Sequence, residues 1–344
     1  MRAWQGCVHV LFTSAFLLAQ AAGNPGTTEV PFSNNLLSRA ETGSARDEFL
    51  VARAYASGSG VKQDYAQALY WYKRAADRGD DGATTEIGRM YAEGFGVKQD
   101  YSQALLWFRR AASDGDAAAQ NNLGVLYFRG LGMSPDAVAA VRWWERAAEK
   151  GLPQSESNLG FAYLTGSGVV RDPAKACKLF RKAAERALAE AQFNLAYCYE
   201  NGKGVGQDCS EAARWYEKAA AQDYSPAQTN LGFLYLRGAG VSTNFSEALR
   251  LFVRAAESGN TKALLGLAQI YHMGKGVPRD DVSAYCWLQL AAQRGEIVDQ
   301  ALQITASSLT KEQLSQAVER VGIWDSAHHS GPSKLDAKAF VPGN

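Results

Sequence analysis

The amino-acid sequence predicts an all-α solenoid built from repeated helix-turn-helix units. Three observations predict it. Gly-x-Gly recurs at Gly58/Gly60, Gly94/Gly96, Gly130/Gly132, Gly166/Gly168, Gly202/Gly204, Gly238/Gly240 and Gly274/Gly276, always at a step of 36 residues. An Ala-Ala pair keeps the same step, beginning at Ala75, Ala111, Ala147, Ala183, Ala219, Ala255 and Ala291. So does a tyrosine, at Tyr55, Tyr91, Tyr127, Tyr163, Tyr199, Tyr235 and Tyr271. An uninterrupted period of this length marks stacked supersecondary units, each too small to bury its apolar face alone.

The first segment reads as a targeting signal. Arg2 precedes the apolar run "VHVLFTSAFLL" (residues 8–18), and "AQA" (19–21) closes it with small residues. Residues 1–21 therefore have the layout of a secretory signal cut near Ala21. The run falls short of the roughly 20 residues that a membrane-spanning helix needs. Residues 22–45 are polar and rich in turn formers and read as a linker. Over all 344 residues the hydrophobic share is 47 %, charged residues make 21 %, and the net charge is +1. That balance suits a folded soluble chain and gives neither a basic surplus for nucleic acid nor an acidic tail.

Each copy reads as two helices. The first is typified by "AQFNLAYCYENG" (191–202), where Ala191, Leu195, Cys198 and Tyr199 share one helical face and Gly202 supplies a left-handed cap. After the turn, Asp64, Asp100, Asp136, Asp172, Asp208, Asn244 and Asp280 stand where the second helix needs an N-cap. Pro173 suits a first helical position, and Glu211 and Glu247 complete the pattern of a capping box. The second helix carries Trp71, Trp107, Trp143, Leu179, Trp215, Leu251 or Trp287, with the Ala pair four residues on. Large beside small lets two helices approach closely and still fill space. The repeated stretch is thus a building block, and nothing in it needs catalysis as an explanation.

The stretches "AQFNLAYCYENGKGVGQDCSEAARWYEKAA" and "AQNNLGVLYFRGLGMSPDAVAAVRWWERAA" resemble Sel-1-like repeats, relatives of the tetratricopeptide repeats. The resemblance covers residues 46–295 as seven copies. It implies a right-handed superhelix of helix pairs that acts as a scaffold for protein partners. Departures are local: Ala196 and Ala268 replace Gly in the first helix, Ala187 and Asp223 replace Gly after the second, and Leu179 and Leu251 replace Trp. Residues 296–325 read as a C-terminal capping region. Thr310 and Gln313 form a capping box for a helix running to about Trp324, with Leu314, Ala317, Val318 and Val321 as its apolar face. Residues 326–344, polar with Pro and Gly, read as a disordered tail.

In the resembled family the first helices are expected to line a concave binding face. One column along them reads Asn122, Asn158, Asn194, Asn230 in the middle copies, and the next reads Val125, Phe161, Tyr197, Phe233. An Asn ladder can pair with an extended peptide backbone, and aromatic neighbours supply anchors. The competing assignment makes the same residues inter-repeat packing. Cys177, Cys198 and Cys209 are candidates for a disulfide: counting from the turns on either side places Cys198 level with Cys177 and also with Cys209. A bond involving Cys198 is expected in an exported chain, with the partner open. Cys286 stands where other copies have Tyr70, Arg142 or Arg214, and is expected to be exposed.

Some secreted relatives of the resembled family are associated with penicillin binding or β-lactamase-like activity, so a cell-wall-related hydrolase is the alternative to a binding scaffold. Ser-x-x-Lys occurs at Ser59–Lys62 and Ser308–Lys311, but without the Ser-Asp-Asn or Lys-Thr-Gly companions. Few histidines are available for a nucleophile–His–acid arrangement. The Gly-x-Gly turns follow helices, not strands, and do not cradle phosphate. Asn244-Phe245-Ser246 matches a glycosylation sequon, yet Asn244 is better assigned to its N-cap. The sequence thus reads as an exported, periplasmic or secreted, non-catalytic scaffold for a protein or peptide. No cofactor, metal or nucleic acid is expected, nor a membrane span after signal cleavage. The chain is expected to be a monomer or part of a larger assembly.

Overall fold

A run of helices joined by tight glycine turns makes up the computed structural model, which describes residues 31–328. The expected signal, residues 1–21, and the chain beyond 328 lie outside the described residues. The chain divides into two compact units at Arg186/Ala187. The first unit holds α1 (Asn34–Glu41), α2 (Ala45–Ser57), α3 (Tyr65–Asp77), α4 (Asp81–Glu93), α5 (Tyr101–Ser113), α6 (Ala117–Arg129), α7 (Ala137–Glu149), α8 (Pro153–Thr165) and α9 (Pro173–Glu185). The second holds α10 (Ala189–Asn201), α11 (Cys209–Ala220), α12 (Ser225–Arg237), α13 (Phe245–Glu257), α14 (Thr261–Met273), α15 (Asp281–Gln293), α16 (Asp299–Ser307) and α17 (Lys311–His328). There is no strand among the described residues. From α2 to α15, helices pair within each repeat, and within a unit each pair packs on the next.

The turn inside each repeat is closed by backbone bonds. The amide of the N-cap residue donates back to the carbonyl of the repeated tyrosine: Asp64 to Tyr55 at 2.9 Å, Asp136 to Tyr127 at 2.8 Å, Asn244 to Tyr235 at 3.1 Å, and likewise in the other four copies. In all seven, the N-cap side chain accepts from the first free amides of the second helix. This bond displaces half of the expected capping box. Glu211 and Glu247 place their amides on Asp208 and Asn244, both at 3.0 Å, but their carboxylates turn to Arg214 and Arg250. The N-cap amide they would accept from is already taken. The second glycine of the turn is needed for close approach. A Cβ on Gly96, at φ 70°, would lie 2.6 Å from the backbone carbon of Tyr65 in the preceding repeat.

In the second to fifth copies the interior is filled one position later than the tryptophan pattern suggests, whereas Trp71, Leu251 and Trp287 of that pattern are buried. Phe108, Trp144, Phe180, Tyr216 and Phe252 are fully buried, whereas Trp107, Trp143 and Trp215 are half-buried. Each half-buried indole lies under a cation three residues on: Arg146 sits 4.7 Å from the Trp143 ring and Lys218 3.8 Å from Trp215. The buried ring presses on the small residue of the partner helix. A Cβ on Gly88 would fall 2.6 Å from the Phe108 ring, and one on Gly160 would fall 2.8 Å from Phe180. Ala196 and Ala268 keep this position small where Gly is lost, so the close approach survives the substitution.

Both ends are closed by extra helices. Part of the expected linker is α1: Ser33 caps it by accepting from Leu36 at 3.2 Å, and Leu36 and Ala40 bury one stripe against the first repeat. A single apolar stripe on a short polar segment disguised it. The capping region holds two helices, not one. In α16 only Ala301 and Thr305, one turn apart, are buried. The Thr310/Gln313 box is reciprocal, with bonds of 3.0 and 3.2 Å. The helix it opens, α17, runs on to His328 and packs through Ala317 and Val321 against α15, while Val318 points outward at 55 % exposure.

One carboxylate ties this end together. Asp281 accepts from Arg279 at 2.7 Å and Ser308 at 2.8 Å, and lies 2.7 Å from His272 Nδ1. Burial pushes its pKa up, but the hydrogen bonds from Arg279, Ser308 and His272 outweigh burial and hold it below the ordinary value. A lowered folded-state pKa contributes stability above the usual carboxylate range that is lost as pH falls. Asp281→Asn should therefore be less stable than the parent near neutrality, with the gap closing below about pH 4, as urea unfolding across pH would show. A second expectation concerns the two non-glycine residues held at positive φ, Ala187 (62°) and Asp223 (59°). Ala187→Gly should raise stability by about 1 kcal/mol, read as a higher urea midpoint at unchanged slope.

Candidate partner-binding faces

The Asn column predicted to meet a peptide lies inside the protein. In the first unit Asn122 and Asn158 are 0 % and 3 % exposed; in the second, Asn194 and Asn230 are 3 % and 5 % exposed. The cause is packing: the column falls in the seam between successive first helices. Asn158 on α8 donates to Asn121 Oδ1 on α6 at 3.0 Å, and Ser155 donates to the same oxygen at 3.0 Å. The Trp144 indole N–H reaches the Asn121 carbonyl at 3.2 Å, joining the second helix of that repeat to the seam. The amides hold first helices in register and are not presented at the surface.

In the second unit the seam is more acidic. Asn230 donates to the Tyr216 hydroxyl at 2.8 Å, which donates to Glu200 Oε2 at 2.8 Å, while Arg237 meets Glu200 Oε1 at 3.3 Å. Burial, then the Glu200 charge, pushes the Tyr216 phenol far above its ordinary range. The Tyr197 phenol is raised in the same way, by burial first and Glu200 second. Tyr216 stays protonated and serves as a donor throughout the physiological range.

The second predicted column divides. Val125 and Phe233 are buried at 1 % and 5 % exposure, and the latter rests on Phe252 with ring centroids 4.8 Å apart. Phe161 and Tyr197 are half-buried and reach the surface of their first helices. Phe161 has a neighbour that column reading missed. Phe128, one repeat earlier, stands edge-on to it at 6.2 Å and lies 5.5 Å from Trp144. Its spacing of three residues from Val125 places it on the adjoining stripe of the helix, a signal a wider window would have caught. Arg129 is exposed next to Phe128. A half-exposed aromatic pair over a rigid polar seam is what the first unit offers a partner.

The remaining candidates are placed as follows. Cys177 and Cys198 are buried and Cys209 is half-buried at the start of α11. Cys286, expected to be exposed, is buried because α17 covers that face of α15, and its thiol points to the Ala317 carbonyl at 3.5 Å. Burial pushes that thiol up to about 11, which keeps it protonated. Ser308 donates to Asp281 and to the Thr305 carbonyl, while Lys311 is exposed, so this Ser-x-x-Lys pair serves the helix junction. Ser59 is half-buried in a repeat turn and Lys62 is exposed. Among the described residues no group of three His, Cys, Asp or Glu is arranged to hold a metal, and no helix is long and apolar enough to cross a membrane.

Comparison with known proteins agrees with the repeat geometry. The Sel1 repeat family matches seven times, at residues 46–80, 83–116, 117–152, 153–188, 189–224, 225–260 and 261–296. A crystal structure of a protective antigen present in uropathogenic Escherichia coli strains, displaying an SLR fold, is 33% identical over 89% of this chain and 69% of its own, with a TM-score of 0.66. A Sel1 repeat protein from Oxalobacter formigenes is 28% identical over 73% of this chain and 98% of its own, with a TM-score of 0.64. No curated protein sequence matches the chain. Repeat scaffolds of this kind mediate protein–protein interaction. With seven consecutive matches and the same capped helix pair in every copy, the chain belongs to the Sel1 repeat family.

Proposed function

We propose that this protein is an exported, non-catalytic scaffold that binds a protein or peptide partner on the surface of its first helices. The observation that carries this reading is the Phe128–Phe161 pair, half-exposed on α6 and α8 above the hydrogen-bonded Asn121–Asn158 seam. Aromatic side chains dominate interface energetics when they are held rigid, because little conformational entropy is lost on binding. Tyr197 is the corresponding half-buried ring in the second unit. The buried asparagines support recognition indirectly, by fixing the helices that present the rings. Export to the periplasm or beyond rests on the layout of residues 1–21 and is supported by likeness to a protein described as a protective antigen.

The binding face is tested by affinity capture from the exported fraction with the mature chain and a Phe128→Ala/Phe161→Ala variant shown to melt with it. A partner held by the parent should be retained about tenfold less well by the variant. Equal retention would remove the assignment. Asn158→Ala should act differently, lowering stability by about 0.5–1.5 kcal/mol because it removes one of the two donors to Asn121 Oδ1 in the interior, Ser155 remaining. Export is checked separately by the mass of the protein recovered outside the cytoplasm. Cleavage after Ala21 leaves a chain that begins at Ala22, and an intact N-terminus refutes the signal.

A further inference from the structure

The outward sides of the second helices carry the same three positions in every repeat, spaced i, i+4, i+8 along one stripe. On α7 these are Arg142 and Arg146, with Lys150 just past its end. On α9 they are Lys178 and Lys182, with Arg186 just past its end. All six side chains are exposed. The two helices border one core: Leu179 of α9 and Ala148 of α7 both pack against the cluster that holds Val141 and Trp144, and Arg186 donates to the Gly151 carbonyl. The result is a ladder of three cation pairs, Arg142/Lys178, Arg146/Lys182 and Lys150/Arg186, with rungs about 6 Å apart.

The third rung already has internal work. Lys150 donates to the Gly115 carbonyl, and Arg186 pairs with the buried Glu156 at 3.4 Å besides its bond to Gly151. The first two rungs make no ion pair among the described residues. Arg146 covers the Trp143 face, the Lys182 charge also acts on the buried Glu156, and Arg142 and Lys178 are exposed. Glu149 and Glu185 stand in the last turn of each helix, outside the ion pairs of the described residues. Glu145, the other acid on α7, is half-buried and turned toward the Tyr163 hydroxyl at 3.5 Å.

The other repeats do not repeat this ladder. In the same unit the first-rung position is Tyr70 on α3 and Leu106 on α5. In the second unit Arg214 and Arg250 occupy it, but each is paired with a glutamate three residues earlier on its own helix, Glu211 at 2.7 Å in the first case. On α7 and α9 that earlier position is Ala139 and Lys175, so the neutralising acid is missing. Cations at all three positions, with no acid three residues before the first, thus occur together only on α7 and α9, in a chain whose net charge is only +1. A patch of one sign on a nearly neutral protein attracts its opposite locally rather than over the whole surface.

We propose that the outward face of α7 and α9 docks an acidic segment of a partner protein. Carboxylates on alternate residues of an extended segment recur about every 7 Å, close to the rise between successive rungs. An extended acidic stretch laid along the helices can therefore place one carboxylate between Arg142 and Lys178 and the next between Arg146 and Lys182. Arg142 and Arg146 offer two-pronged hydrogen bonding as well as charge. This face is separate from the Phe128–Phe161 surface, and its occupancy does not depend on that reading.

Binding of fluorescently labelled peptides to the full chain, followed by anisotropy at low salt, tests the proposal. A short peptide with glutamate at alternate positions should bind, and its lysine counterpart should not. Arg142→Glu/Lys178→Glu should weaken binding about tenfold or more, and rising salt should weaken it as well. Arg142→Ala/Lys178→Ala, which adds no repulsion, should weaken it less but measurably, and carries the test if the reversed variant fails to fold. Arg214→Glu/Arg250→Glu, altering the neutralised pair in the second unit, should leave affinity unchanged. No binding of the glutamate peptide, or equal loss in both charge-reversed variants, overturns the proposal. Equal or tighter binding of a single-stranded DNA of matching charge at the same residues overturns the peptide assignment in favour of nucleic acid.

Discussion

Everything in this fold rests on how the chain turns between the two helices of a repeat. The amide of each N-cap residue returns to the carbonyl of the repeated tyrosine, seven times, at 2.8 to 3.1 Å. The bond satisfies a carbonyl that the end of the first helix leaves open, while the N-cap side chain satisfies amides at the start of the second. Two helix ends are thus settled by one residue. The turn then has little freedom, and the second helix leaves at a set angle. Only with that angle can the buried ring of the second helix meet the small residue of the first. The 36-residue repeat is the shortest statement of those coupled requirements.

The interior built on that turn is not purely apolar. Asn121, Asn158, Ser155 and the Trp144 indole form one connected set in the first unit, and Asn230, Tyr216 and Glu200 form another in the second. Apolar contacts alone would let neighbouring first helices slide, since small and medium side chains pack comparably well in several registers. A buried amide that loses its partner costs more than the bond returned. Such polar seams therefore favour one register of the stack. The same arrangement explains why residues suited to reading a peptide serve the scaffold instead, and why half-buried rings such as Phe161 are held firmly.

The ends and outer faces follow from the same economy. A repeat stack exposes an apolar flank at each end, and here α1 covers one and α16 with α17 the other. Cys286 is buried only because its repeat is last, for its column carries Tyr70, Arg142 and Arg214 where no further helix arrives. Outer positions free of packing duty are where the repeats differ, and the cations of α7 and α9 stand among them.

The sequence by itself determined the repeat, its seven copies, the helix pair and the N-caps. These depend on local chemistry: a left-handed turn needs glycine, a helix start needs a short acceptor, and both recur at fixed spacing. It also displayed the rings and the asparagines, but not their roles. Trp143 and Trp144 are adjacent on one helix, and only the arrival of Gly124 from the neighbouring helix selects the second for the interior. Asn158 and Phe161 share a helical surface until the next first helix covers one more than the other. The tertiary structure decided which residues face a neighbour and which face solvent, because burial here arises between helices some tens of residues apart, and periodicity within a single helix does not say where its neighbours will lie.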